Sequence, residues 1–567
     1  MQRDLLAIAS AEHDVLIIGA GMFGICAAWD AVLRGFSVAL VDKGDYCSGT
    51  SANSFRIVHG GIRYLQHGDI VRVRSSCRER TALLRTAPHL VQPLPIVVPT
   101  YGHGKNSRWF LAAGVLAYGL LTLDRNWSIR DPERRIPWGR LLNRREVLDL
   151  FPGLDSDQLT GAVEFFDGQM YNPTRLAISV LRAAVARGAK AANYVKAKKF
   201  LRRGDRIVGV EVEDTLSGDV LEIRAKTVLN AAGPWAEDLL AQGLPTPLGR
   251  RTPYSRDACF VLKRSPTHGR ALALQSQTKD PDALLSRQAR HLFVVPWRDR
   301  IVVGVWHKPY DSDPDRVDVS VSELEGYIKE LNWAYPTFHL NYEDVSFWNW
   351  GLLPFGENES DAKDLSYGKR SILIDHQHED HLAGLVSLIG VRYTMARGDA
   401  ARAVDLLAAK LGRRAPRPPT HRLAVHGGNI NDFQAFVKQA TKSHGEALSP
   451  HVMRALAHNY GSEYQRVLRY TQGNVKLLET IGSSTVIQAE VPHAVHEEGA
   501  VKLSDVVLRR TDLGTGGYPG VEALSICGAL MAKNLGWDEA QLEQEIEEVA
   551  QVYKRFGLST MTAEARQ

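Results

Sequence analysis

"DVLIIGAGMFGICAAWDAVLRGFSVALVDKGD", Asp14 to Asp45, decides how the rest of the chain is read. A short apolar run, Val15 to Ile18, meets Gly19, Gly21 and Gly24 in GxGxxG spacing, and a helical pattern follows until Gly35. A second apolar run, Val38 to Val41, ends in Asp42, eighteen residues after Gly24. Strand, glycine turn, helix, strand and terminal acid is the order that a dinucleotide-binding unit requires. Gly19 permits the tight turn, Gly21 lets backbone approach a pyrophosphate at the helix N-terminus, and Gly24 lets helix and strand pack closely. A carboxylate at Asp42 accepts both hydroxyls of a ribose and repels a phosphate there, which disfavours NADP. The motif alone does not separate FAD from NAD.

Outward from this unit, 567 residues exceed what one core organises, so two large regions and a smaller third are expected. The composition, 44% hydrophobic and 23% charged, is that of a globular protein, and disorder is excluded for the body of the chain. The net charge of +5 suits anionic small molecules or an anionic membrane surface. The basic stretches, Arg125 to Arg135 and Leu411 to Pro418, are interrupted and read as solvated loops, so nucleic acid is not an expected partner. Five cysteines with no CxxC and no metal spacing point to a reducing, cytoplasmic compartment. The N-terminus lacks the apolar core of a signal peptide. The most apolar window, Trp109 to Leu123, has 15 residues against the roughly 20 that span a bilayer, and is read as a buried helix, with a segment lying on a membrane as the alternative.

A second stretch, "NSFRIVHGGIRYLQHGD" from Asn53 to Asp69, sets His59, Gly60, Gly61, Arg63 and Tyr64 side by side. Glycine in a buried strand loses packing and costs entropy, so something other than side chains is expected against that backbone. With "LLRTAPHLVQPLPIVVP", "VLNAAGPWAEDL", "HLFVVPWRDRIVVG", "LIGVRYTMARGDAARAVDLL" and "EGAVKLSDVVLRRTDLG", it closely resembles the FAD-dependent glycerol-3-phosphate dehydrogenases of the D-amino-acid oxidase-like superfamily. The likeness spans nearly the whole chain.

The resemblance implies non-covalent FAD, although some relatives attach flavin through a histidine in the neighbourhood of His59. It implies that Gly60 and Gly61 pass beneath the isoalloxazine ring and that Thr50 and Ser51 cap the pyrophosphate. Val195 would contact the adenine side, and Ala232, Gly233 and Trp235 would close the second pass. Gly390, Val391, Arg392, Tyr393 and Thr394 would return at the pyrimidine edge, where a helix start and a cation stabilise an anionic reduced ring. For substrate, it implies Arg63, Tyr64, Arg370, Arg392 and Thr394, with Arg392 standing where the family usually has lysine. Converging arginines suit phosphate, sulfonate or carboxylate. Two positions depart from the family: its arginine next to the reacting carbon corresponds to Leu353, and its histidine near the substrate to Ala258. A carbinol needs a proton acceptor, and His307, at the end of a strand placed beside the flavin, is the replacement base; a surface histidine beside Lys308 is the other reading.

The expected architecture is α/β: a discontinuous Rossmann-like FAD-binding domain (1–84, 172–244, 356–412), an antiparallel-sheet substrate domain (85–171, 245–355), a linker (413–428) and an all-α C-terminal cap (429–567). Phe347, Trp348 and Trp350 read as core or pocket wall. The histidines and acids of "HAVHEEGAVKLSDVVLRRTDLG" read as a capped helix with surface charges rather than a metal site. The expected activity is oxidation of a small polar, anionic alcohol, glycerol 3-phosphate or a relative, by hydride transfer to flavin N5. An amine or amino-acid oxidase and a non-catalytic FAD-binding protein are the alternatives. Quinone or oxygen is the expected acceptor, with peripheral contact at the cytoplasmic face of the membrane and a homodimer compatible with the family.

Overall fold

The computed structural model describes residues 1, 3–102, 107–244, 252–279, 289–355, 370–445 and 447–554. Its first sheet is built on His13–Ile18, whose six residues are all buried because helices cover both faces. That strand pairs in parallel with Val38–Val41 on one side and Val220–Asn230 on the other. Lys190–Ala192 and Leu385–Ile389 extend the parallel order, and Ile372–Asp375 closes one edge antiparallel. The helix Met22–Leu33 crosses between the first two strands and packs against Pro173–Val185 and Ala396–Lys410. A Cβ at Gly24 would lie 1.9 Å from the Gly19 carbonyl oxygen, so only glycine allows this helix to sit so close to the turn. Asn172 caps the helix Pro173–Val185, accepting from the amides of Thr174 and Arg175.

Among the described residues the second sheet has nine strands, and Val345–Pro354, Tyr254–Leu262 and Arg300–Tyr310 form one end of it. Its pairings are antiparallel, as expected, except where Ala271–Lys279 runs parallel to Val91–Tyr101. The strand Ile57–Val58 joins this sheet through Leu159–Met170, although it lies in the segment assigned from sequence to the FAD-binding domain. Trp348 is buried in the roof core, where its ring lies 4.7 Å from that of Phe260. Phe347 packs against Tyr553 of the C-terminal region.

Helices dominate from Phe433 onward, among them Phe433–His444, Pro450–Tyr460, Glu490–Glu498, Val521–Leu535 and Glu539–Lys554. The charges of "HEEGAVKLSDVVLRR" are not a solvated face. Glu498, Asp505, Arg509 and Arg510 are buried, because they pair across the junction with the nucleotide-binding domain. Arg510 forks onto both carboxylate oxygens of Asp45 at 2.7 Å each, Arg509 reaches Asp45 at 2.5 Å, and Arg175 reaches Glu498 at 2.5 Å. The sequence pattern showed the charges but not the partners, which lie hundreds of residues away.

A second correction concerns Trp109 to Leu123. The helix Arg108–Leu121 forms, but it buries only Tyr118 and Gly119 fully and leaves Trp109, Phe110, Leu116 and Leu120 exposed. Ser107 caps it by accepting from the Phe110 amide. No helix of the described residues is long and apolar enough to cross a membrane. All five cysteines are free and buried; Cys26 and Cys47 share one core, and Cys77, Cys259 and Cys527 lie in three others.

Candidate active site

The carboxyl ends of the parallel strands open onto a cavity of about 2140 Å³, where an open α/β sheet binds its ligand. Small-molecule pockets usually enclose roughly 300–1,000 Å³, so this one has room for an extended dinucleotide and a substrate together. Its wall takes in Ile18, Gly19 and Gly21, Asp42 to Gly44, Ala231 to Trp235 and Leu388 to Thr394, which are four successive strand ends. The roof supplies Phe55, Ile96, Phe165 and Phe293, an apolar surface.

At the nucleotide end, Gly19 has φ +101° and a Cβ there would lie 2.5 Å from the Ala231 carbonyl oxygen. Gly21 is the N-cap of the crossover helix and carries no side-chain cap, which leaves first-turn amides for an anion. Ser51 Oγ accepts from the Met22 amide at 3.0 Å, and Thr50 Oγ1 donates to the Leu352 carbonyl at 3.2 Å. Asp42 accepts from the amides of Ala20, at 2.6 Å, and Gly44, at 2.9 Å, and burial pushes its carboxyl up to about 6. A bare N-cap, an adjacent hydroxyl and an acid at the second strand end are the donors and acceptors that an FAD diphosphate and ribose need. Val195 is buried, and its amide donates to the Asp42 carbonyl; the next residues, Lys196 and Ala197, face the cavity instead. Ala232, Gly233 and Trp235 line the wall, with the Trp235 indole donating to Asp315 at 2.9 Å.

The glycine pair separates into two cases. Gly61 faces the cavity with φ +80°. A Cβ on Gly60 would instead strike Tyr118 Oη at 2.1 Å and Arg80 at 2.2 Å. The bareness of Gly60 therefore serves a buried cluster beneath the loop, correcting the expectation that it makes room for a planar ring. Asp167 organises this cluster: it accepts from the Gly60 amide at 2.6 Å and from the fully buried Arg80 at 2.7 Å. Cys77 Sγ donates to the Gly60 carbonyl and contacts Tyr118 Oη at 3.1 Å. Asp167 Oδ2 also lies 3.5 Å from His59 Nδ1, and the His59 ring is 53% exposed into the cavity.

Arg63, Tyr64, Arg392 and Thr394 share the cavity wall near His59. The Tyr64 ring meets two guanidinium groups, Arg72 at 4.6 Å and Arg392 at 5.0 Å from its centroid. Such stacking holds both cations without consuming their donors. Arg392 donates one bond to Ser76 Oγ at 3.3 Å, and Thr394 Oγ1 accepts from the His59 amide at 3.1 Å. Gly390 lies against Phe23, where a Cβ would sit 2.1 Å from the ring. Val391 is buried, and Tyr393 Oη donates to the Pro173 carbonyl at 2.7 Å. Arg370 stands apart: it is exposed and lines a neighbouring cleft that shares Arg392 with the main cavity.

His307 and Asp257 face the cavity from paired positions on Arg300–Tyr310 and Tyr254–Leu262, with His307 Nδ1 2.9 Å from Asp257 Oδ1. Ser255 Oγ donates to the same carboxylate oxygen at 2.7 Å. Sequence reasoning missed Asp257 although it adjoins Ala258, because the cross-strand register that opposes it to His307 is not written in either segment. Leu353 and Ala258, the two positions read from the resemblance as departures, both line the cavity.

These features define an oxidoreductase built around a dinucleotide cofactor. The family described as FAD dependent oxidoreductase matches residues 14–390, and the C-terminal domain of alpha-glycerophosphate oxidase matches 418–542. A glycerol-3-phosphate dehydrogenase of Synechocystis sp. is 32% identical over 556 residues, covering 96% of this chain and 97% of its own. Glycerol-3-phosphate dehydrogenase 2 of Mycobacterium tuberculosis is 30% identical over 548 residues, covering 95% and 88%. The fold is shared with the glycerol-3-phosphate dehydrogenase of Bacillus halodurans complexed with FAD, at a TM-score of 0.74 and 23% identity over 97% of this chain and 96% of that one. The chain belongs to the FAD-dependent glycerol-3-phosphate dehydrogenase family.

Proposed function

We propose that this enzyme oxidises glycerol 3-phosphate, or a small anionic alcohol of the same shape, with a membrane quinone as electron acceptor. The observation that carries the reading is the convergence of Arg63, Arg392, Tyr64 and Thr394 on one wall of the cavity. Two guanidinium groups there can grip a phosphate through several charge-assisted bonds. Bound FAD supplies the two-electron acceptor for the carbinol carbon.

The chain must then receive the hydroxyl proton. His307 is the base we assign, held in orientation by Asp257, as a carboxylate on one ring nitrogen leaves the other to accept. Leu353 and Ala258 leave that part of the wall apolar, so orientation of the hydroxyl falls to the histidine. His59, backed by Asp167, is the competitor for the role, and His291 is a third imidazole on the cavity.

Anaerobic mixing with glycerol 3-phosphate should bleach the yellow chromophore. His307→Ala should slow bleaching about 100-fold with FAD retained. Should His59→Ala do so while His307→Ala does not, the base is His59. If no small anionic alcohol bleaches the protein, the substrate reading falls.

A further inference from the structure

A cleft of about 830 Å³ adjoins the active-site cavity. That volume falls within the roughly 300–1,000 Å³ of small-molecule sites. Its walls come mainly from the helix Ile70–Thr86, the loop 124–128, the first turns of Ala396–Lys410 and the loop 417–422. Arg85 ties three of these together, donating from the first helix to the His421 carbonyl at 3.0 Å and to the Trp127 carbonyl. The cleft is therefore braced from within rather than being a gap between loose loops.

Among the described residues ten arginines and four carboxylates line it. Each carboxylate already has a cation: Asp69 pairs with Arg72, Asp124 with Arg74, Glu79 with Arg397 and Asp399 with Arg402. Arg417 pairs with Asp405, which lies outside the lining. Arg85 and Arg125 direct donors at backbone carbonyls, which carry no net charge to offset theirs. Arg78 and Arg422 are exposed and carry no ion pair among the described residues. Burial and then Arg422 lower the Arg85 guanidinium, and burial, Arg397, Arg422 and Arg85 lower the His421 imidazole. Cations crowded on a concave surface, with their acids already matched, focus an attractive field on an incoming anion.

Asp69, Arg72 and Arg392 line the cleft and the active-site cavity alike. Arg392 matters most of the three. It gives one bond to Ser76 Oγ at 3.3 Å and stacks on Tyr64, so most of its five N–H groups remain for anions on either side.

We propose that the cleft is an effector site for a soluble oligophosphate, an anion of two or more linked phosphoryl groups, and that its occupant weakens substrate binding through Arg392. A single phosphate brings roughly two charges and one set of oxygens. A chain of them spreads charge and acceptors over several guanidinium groups at once, which this lining requires. Two anions that share one guanidinium repel each other and compete for its donors. The coupling is negative, and by linkage each ligand lowers the other's affinity by the same factor. The direction of that coupling rests on the phosphate-gripping role given to Arg392 above; the existence of the site does not.

The test is titration calorimetry of the FAD-loaded protein with sodium tripolyphosphate. One anion should bind per chain, at least tenfold tighter than orthophosphate, and more weakly as salt rises. With glycerol 3-phosphate and a soluble dye acceptor, tripolyphosphate should raise KM and leave kcat unchanged. Arg78→Gln with Arg422→Gln should lower tripolyphosphate affinity at least tenfold and remove its effect on KM. The same variant should keep the parent's thermal midpoint and its turnover without tripolyphosphate. Absence of binding, or undiminished binding by the double variant, overturns the proposal. Inhibition that the double variant does not relieve also overturns it, because the anion then sits in the substrate site. Displacement of tripolyphosphate by phosphatidylglycerol vesicles at equal phosphate would assign the cleft to a headgroup and overturn the soluble occupant. Tripolyphosphate binding without bleaching by any anionic alcohol would remove the substrate reading and leave the effector site standing.

Discussion

Gly60 and Gly21 keep their hydrogens for different reasons, and substitution should tell them apart. At Gly60 an added methyl meets Arg80 and Tyr118, both fixed in a buried network, so Gly60→Ala should cost about 1–3 kcal/mol in thermal denaturation even without FAD. At Gly21 the nearest atom is Ser51 Oγ at 3.3 Å, which leaves the fold intact and crowds only the ligand side. Gly21→Ala should therefore weaken FAD, roughly tenfold by fluorescence titration or about 1.4 kcal/mol, with an unchanged apoprotein midpoint. Glu490 is a titrating residue far from chemistry. Burial pushes its carboxyl up to about 8, and the Tyr460 hydroxyl lies 2.9 Å from it. The folded state holds this proton where the unfolded chain has released it. Stability is thus lost as pH rises from about 4.5 towards 8, by up to about 1.4 kcal/mol per pH unit. Glu490→Gln should remove that slope from the midpoint measured against pH.

Between elements, the C-terminal helices are fastened to the nucleotide-binding domain by charges that water does not reach. Burial alone would raise the Asp45 carboxyl, but the guanidinium groups of Arg510 and Arg509 outweigh it and hold the group well below the usual carboxylate range. A depressed folded value means stabilisation that is full above the ordinary carboxylate pKa and is lost as the pH falls below it. Asp45→Asn should therefore cost about 3–5 kcal/mol at neutral pH, since it leaves the buried Arg510 without a carboxylate and Arg509 with Asp505 alone. The deficit should shrink in acid, measured by denaturant unfolding of variant and parent across pH.

For the molecule as a whole, the nucleotide fold was legible because its requirements are local: a turn at Gly19, a close approach at Gly24 and an acid at Asp42 lie within one short segment. The helix at Arg108–Leu121 was legible as a helix but not as a surface, since apolar composition does not say which side a neighbour covers. Gly60 was misread for a related reason, its neighbours Arg80 and Tyr118 being set by the packing of two later helices. Arg370, expected from the resemblance among the substrate groups, sits on a side cleft. A cavity this size also makes the cofactor part of the stability of the chain. Stripping FAD should lower the thermal midpoint, and FAD at 100 times its dissociation constant should restore about 2.7 kcal/mol. The five buried cysteines carry a last consequence. Burial pushes Cys26, Cys47 and Cys527 up to about 12 and Cys259 to about 11, and raises Cys77 as well, so native protein should be inert to maleimide. Because the sulfhydryls are spread through the crossover helix, the loop floor, the roof and the terminal helices, the order of their alkylation during slow heating would be a map of which part opens first.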